Sequence, residues 1–213
     1  MREHDIEPIR GLPGDLPPGE AILWQGAPDA RVFARSALGV RWIGGYFALL
    51  VGWAMVAGTP LGALITAGFG LLAVGLAYGF ALLVARSTVY TITNRRVVLR
   101  IGVALSKCIN LPLVKLSGAD QRNLGAGFGD IALTLQGQSM LGYAMLWPHA
   151  RPFRFAAPQP MLRALPDAAN VAGILAKATA AIVPVQQRSE TAAAPTAGRA
   201  ANTPVLGARE ATA

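Results

Sequence analysis

The 213-residue sequence predicts an α+β membrane protein: a two-helix transmembrane hairpin, then a cytoplasmic antiparallel β-sheet or barrel capped by a C-terminal helix. Three observations carry that prediction. Residues 42–85 contain no charged side chain at all. From Ser87 onward the apolar pattern changes to period two, punctuated by turn residues. Near the end, Val171, Ile174, Leu175, Ala178 and Ile182 recur at helical spacing on one face. Composition agrees, since 53% of residues are hydrophobic and only 14% charged, whereas soluble domains carry about 25% charged residues.

The first segment, residues 1–41, is polar and mixed in charge. It lacks the short basic start and early apolar run of a cleavable signal. Within it "EAILWQGAP" reads as a short strand or extended arm whose Ile22, Leu23 and Trp24 need a surface to cover. One membrane span needs about 20 apolar residues, so residues 42–85 are too long for one helix and suit two. Gly58 and Pro60 in "AGTP" supply the break, giving helices over about 42–57 and 61–85. Arg31, Arg35 and Arg41 precede the hairpin, Arg86, Arg95, Arg96 and Arg100 follow it, and the connecting loop has no basic residue. The bias of Lys and Arg toward the cytoplasm then places both termini inside and the short loop outside, in a multi-pass arrangement.

Small residues repeat every fourth position: Gly44, Ala48 and Gly52 in the first helix, Gly75 and Gly79 in the second. Such stripes let helix backbones approach in lipid. They serve either to close the hairpin on itself or to pair it with a second copy or another membrane protein.

Residues 86–182 form the next domain. "STVYTIT" and "RVVLRIG" flank a turn, "LSKCINLPLVKL" is broken at Pro112, "GDIALTLQG" follows, and "LGYAMLWPHARPFRF" continues the run of short strands. A helix after Pro166, with Asp167 at its cap, closes the domain. Several strands followed by one amphipathic helix is the element order of a pleckstrin-homology-like domain. This segment holds eleven Lys or Arg against three Asp, the whole excess of the net charge of +8. A basic domain beside a bilayer attracts anionic headgroups, at about 1 kcal/mol per basic residue; the same excess is also the ordinary bias of cytoplasmic segments. Residues 183–213, rich in Ala, Thr, Pro and Gly, are expected to be disordered.

Chemistry has little to stand on. "GAGFGD" precedes a strand, where a dinucleotide loop would follow one, so a tight turn explains its glycines. The two histidines, His4 and His149, are far apart in sequence, and neither has the company of a metal site or catalytic triad. The single Cys108 is expected to be a buried or neutral strand residue, unable to form an internal disulfide. The apolar helices carry none of the ionisable residues that mark transport paths. The basic domain's aromatics fall at strand positions, which disfavours nucleic acid. No catalytic residue, metal, cofactor or nucleic-acid partner is expected.

"YTITNRRVVLRIG", "INLPLVKLSGAD" and "GAGFGDIALTL" resemble the bacterial pleckstrin-homology-like domains found beside membrane helices. More narrowly, residues 146–178 together with "GLPGDLPPGEAILWQGAPD" resemble the photosynthetic complex assembly proteins of the PuhB family, over about residues 5–182. That resemblance implies a non-enzymatic factor of the bacterial inner (intracytoplasmic) membrane, acting as a homodimer, that helps assemble the photosynthetic reaction centre and core light-harvesting complex of purple bacteria. Its expected partners are reaction-centre and antenna subunits and membrane lipids. The client contact is expected at Trp147, His149, Arg151 and Arg154, in the segment that sets this sequence apart, and headgroup contact at Arg86, Arg95, Arg96 and Arg100. The alternative is a general membrane-anchored module that binds anionic lipid or organises membrane proteins.

Overall fold

A computed structural model describes residues 11–12, 14–137 and 142–193, with side chains described as far as Ile182. His4 and most of the expected disordered tail lie outside the described residues. The chain opens with a strand, β1 (Ile22–Gly26), followed by a seven-residue helix, α1 (Ala30–Ser36). Asp29 starts α1, its Oδ1 accepting from the amides of Arg31 and Val32, each at 2.9 Å. Gly39, at φ +63°, then turns the chain into α2 (Val40–Val56), at 60° to α1.

A turn at Gly58 and Thr59 leads to α3 (Pro60–Ser87), with Pro60 at its first position, where no amide is needed. Its 28 residues reach about 42 Å at 1.5 Å per residue. Among the described residues α3 alone is long and apolar enough to cross a membrane by itself; α1 and α2 qualify only as a bent pair. The two long helices come into tight contact where Gly70 meets Phe47, since a Cβ added to Gly70 would lie 2.8 Å from the Phe47 Cβ. Their outer surface is almost wholly apolar and exposed, including Trp42, Leu49, Trp53, Leu64, Phe69 and Leu76.

The β-domain has two antiparallel sheets. One has the order β1-β2-β3-β4, with β2 (Val89–Thr93), β3 (Arg96–Ile101) and β4 (Lys107–Pro112). The other is β5-β6-β7, with β5 (Leu116–Gly125), β6 (Phe128–Leu135) and β7 (Met161–Leu165). Between β6 and β7 lie one helical turn, α4 (Tyr143–Leu146), and an irregular stretch; α5 (Ala168–Ala193) closes the domain. Tyr90, Ile92, Leu99, Ile131, Leu133, Leu162 and Leu165 form the core, and Val171, Leu175 and Ala178 of α5 cover it. Gly129 lets α5 come close: a Cβ there would stand 2.7 Å from Ala168 Cβ.

Four expectations need correction. The N-terminal segment is not separate from the β-domain, because β1 pairs with β2, Gly26 opposite Tyr90 and Trp24 opposite Ile92. Burying Trp24 against the core is what orders it. The stretch "LGYAMLWPHARPFRF" is no strand; Pro148 and Pro152 deny a ladder its amides, leaving only the isolated bridge Ala150–Pro160 among the described residues, and β7 comes later, from "MLRAL". Helix α5 extends through Ala193, past the expected boundary at 183, and Asp167 flanks it at φ +51° through its backbone carbonyl, which accepts from Val171 N. Cys108, expected as a buried or neutral strand residue, does lie on a strand, β4, but is exposed there and not buried.

Candidate functional site

Three places gather the residues singled out from the sequence. The first is the β2–β3 turn. Thr93 Oγ1 accepts from the amides of Arg95 and Arg96, which fixes the turn. Asn94 Nδ2 donates to the Gly19 carbonyl at 2.9 Å, and its Oδ1 accepts from Ala21 N at 3.0 Å. Arg96 forms a fork with Glu20, Nε to Oε1 at 2.9 Å and a terminal nitrogen to Oε2 at 3.1 Å. Thr93 Oγ1 adds a third bond to Oε1 at 2.8 Å. Burial pushes the Glu20 carboxyl up, and the bonds from Arg96 and Thr93 outweigh it, so the group sits below its usual range. Thr-Asn-Arg-Arg is therefore a clamp on the N-terminal arm. Arg96, expected at headgroups, is committed to Glu20, and Arg100 is buried within β3, because its strand position points into a packed face. Arg86 and Arg95 stay exposed.

The second place is the seam between the helices and the β-domain. Phe33 of α1 packs with Ala81 and Val84 of α3 and Ala164 of β7, and the Asp29 amide bonds the Ala164 carbonyl at 2.9 Å. His149 lies in this seam, 1% exposed, its ring 5.7 Å from that of Phe33. Its Nδ1 is 2.7 Å from Tyr90 Oη and its Nε2 3.3 Å from Thr88 Oγ1. Arg163 N donates to Tyr90 Oη, leaving the phenol proton for Nδ1 and assigning the imidazole hydrogen to Nε2. Desolvation, and then the charge of Arg163, push His149 down to about 3. The expected partner contact at His149 is thus overturned: its two ring nitrogens are satisfied inside the protein. Asp130 completes the seam, also fully enclosed, accepting from Ala164 N at 2.8 Å and from Arg122 at 2.6 Å.

The third place is the segment after α4. Trp147 is half exposed and stacks on Phe80 of α3, centroids 5.6 Å apart. Arg151 reaches Asp120 at 2.6 Å and Gln159 at 3.0 Å, an exposed pairing of small energetic weight. Phe153 and Phe155 project outward rather than into the core, and Arg154 between them is exposed. Trp147 and Arg154 therefore remain available surface, while Arg151 is partly engaged.

The small-residue stripes do not close the hairpin. A Cβ added at Gly44, Gly52, Gly75 or Gly79 would meet nothing within 4 Å, and Ala48 is exposed. The contact glycine is Gly70, which the four-residue spacing did not single out. Sequence reasoning also passed over Glu20, Asp130 and Arg163; the first had a legible signal, an acid just before an arm that must dock on a basic turn. Among the described residues no group of three or more His, Cys, Asp or Glu could hold a metal ion.

Comparison with known proteins places these features in a family. A relative from Rhodobacter capsulatus, described as an uncharacterized 23.7 kDa protein in the puhA 5′ region, is 39% identical over 212 residues, covering 94% of this chain and 98% of the relative. No solved structure matches. The family described as bacterial PH domain matches residues 38–179, spanning α2, α3, strands β2 to β7 and the first part of α5, and the chain belongs to that family.

Proposed function

We propose that the protein is a non-catalytic membrane factor that assists assembly of the photosynthetic reaction centre and core light-harvesting complex. The observation that carries this reading is the relative encoded beside puhA, which suggests a photosynthesis-related context; its likeness extends along nearly the whole of both chains. The resemblance to the PuhB family points the same way.

The anchor in this reading is a two-span hairpin, and the β1–β2 pairing supports it. The chain leaves the sheet after Gly26 and rejoins it at Val89, in adjacent strands of one sheet. A chain that starts and ends on one side of a bilayer crosses it an even number of times. If α3 crosses, α2 crosses as well. The exposed apolar surface of both helices fits lipid or partner helices. The outward stripes at Gly44, Ala48 and Gly52, and at Gly75 and Gly79, would then take client helices or a second copy of the chain. Trp147 and Arg154 would meet the cytoplasmic parts of a client.

Affinity purification in mild detergent from cells making photosynthetic membranes, followed by an absorption spectrum, tests the proposal. Co-purified bacteriochlorophyll is the expected result. A colourless, lipid-bound protein, together with unimpaired phototrophic growth of a deletion strain, would favour the general lipid-binding module.

A further inference from the structure

Arg31 and Arg35 stand one helical turn apart on α1, and both are exposed. With Ala30 they line one side of a cavity of about 440 Å³ whose other side is Tyr78 and Leu82 of α3. Neither guanidinium has an ion pair or hydrogen bond among the described residues. The carboxylate next along the chain, Asp29, is occupied at the helix start by two amides. Like charges at i and i+4 destabilise a helix, and a cation in the first turn, as at Arg31, opposes the helix dipole, which Arg35 in the last turn suits. Folding alone therefore gives no reason for the pair as a whole.

Its position along α3 does. The helix is about as long as a bilayer is thick with its headgroups, 40–45 Å. Counting inward from Arg86, Leu82 lies about 6 Å and Tyr78 about 12 Å deeper. That is where headgroups give way to hydrocarbon, and the Trp147–Phe80 stack at the same height fits the aromatic belt of that zone. The geometry points to a site for an anionic phospholipid, its phosphate held by the guanidinium groups of Arg31 and Arg35 and its chain lying over Tyr78 and Leu82. Paired guanidiniums match phosphate oxygens in fork geometry. A free phosphate would leave the Tyr78 and Leu82 wall uncovered. The inference rests on the reading of the hairpin as membrane-spanning.

The test uses the full chain purified in mild detergent. Native mass spectrometry counts bound phosphatidylglycerol against phosphatidylcholine for wild type, the Arg31→Gln/Arg35→Gln double variant and Lys177→Gln, an exposed cation on α5. The double variant should hold phosphatidylglycerol on the order of 10- to 30-fold more weakly, from the strength of a basic residue at a membrane surface, and Lys177→Gln should match wild type. Equal retention by the double variant overturns the site. Displacement of the lipid by inorganic phosphate alone overturns the lipid assignment. Alkaline carbonate washing separates the two readings: a wild-type chain washed off membranes refutes spanning, and the lipid site with it, whereas a chain that stays embedded with unchanged lipid retention refutes the site alone.

Discussion

Acidification should destabilise this fold through His149, by an amount the seam itself sets. The neutral imidazole accepts from Tyr90 and donates to Thr88 in a site closed to water. A second proton would have to enter at Nδ1, where the phenol proton already points, and would place a charge near Arg163. The folded pKa is about 3, against 6.5 for the exposed side chain. Because the folded state binds fewer protons than the unfolded one, this stability is complete above about pH 6.5 and lost as pH falls toward 3. Between about pH 7 and about pH 4.5 the loss amounts to roughly 2–3 kcal/mol, or about 5–10 °C in unfolding midpoint for a chain of this length. Carboxylates titrate in the same window, so the His149→Gln variant is the reference: its amide replaces both hydrogen bonds without titrating, and its midpoint should fall by that much less on acidification. The His149 ring resonances in detergent micelles should stay constant across the same range. A resonance that titrates near pH 6.5, or a variant as acid-sensitive as wild type, would refute the buried neutral histidine.

Glu20→Gln removes the charge from the Arg96 fork and should cost about 1–3 kcal/mol, read as a lower melting midpoint and faster proteolysis of the arm before β1; unchanged proteolysis would sink the clamp. Gly70→Leu should break the α2–α3 packing, because its side chain must displace Phe47, whereas the Gly75→Leu/Gly79→Leu variant should fold normally and lose only self-association or client binding on native gels. Arg151→Ala should change stability by less than about 1 kcal/mol, since its partner Asp120 is largely exposed. For topology, Cys108 should resist an impermeant maleimide in intact cells and react in inverted vesicles, while a cysteine placed at Ala57 in a Cys108→Ser background should show the reverse. Labelling of both from one side would rule out the two-span hairpin.

The long helices, the β2–β3 hairpin and the buried face of α5 were all legible, because each depends on a local periodicity. The pairing of β1 was not, since its partner lies beyond an entire helical hairpin and only the uncovered Trp24 hinted at one. His149 was expected at a client contact because its segment sets this sequence apart; what encloses it includes Phe33, from a helix far away in sequence. Arg96 and Arg100 were counted as free cations for a similar reason. Charge can be read from composition, but a partner such as Glu20 is found only once the arm is docked. The stripe argument failed differently: four-residue spacing identifies a smooth helix face without saying which face its neighbour takes, and α3 lies against Gly70.

The pairing of β1 with β2 also bears on how the protein is made. β1 leaves the ribosome first and waits, unpaired, until residues 27–88 have passed. If those residues enter the bilayer as two helices, the sheet closes only after both have crossed, since a chain arrested after one crossing holds its two strands on opposite sides of the membrane. The folded β-domain would then act as a checkpoint for insertion: a wrongly threaded chain would keep Trp24 and the edge of β2 exposed and be open to proteases. Deleting α2 while keeping α3 should accordingly yield a chain that is membrane-bound yet degraded, a failure of folding caused entirely by topology.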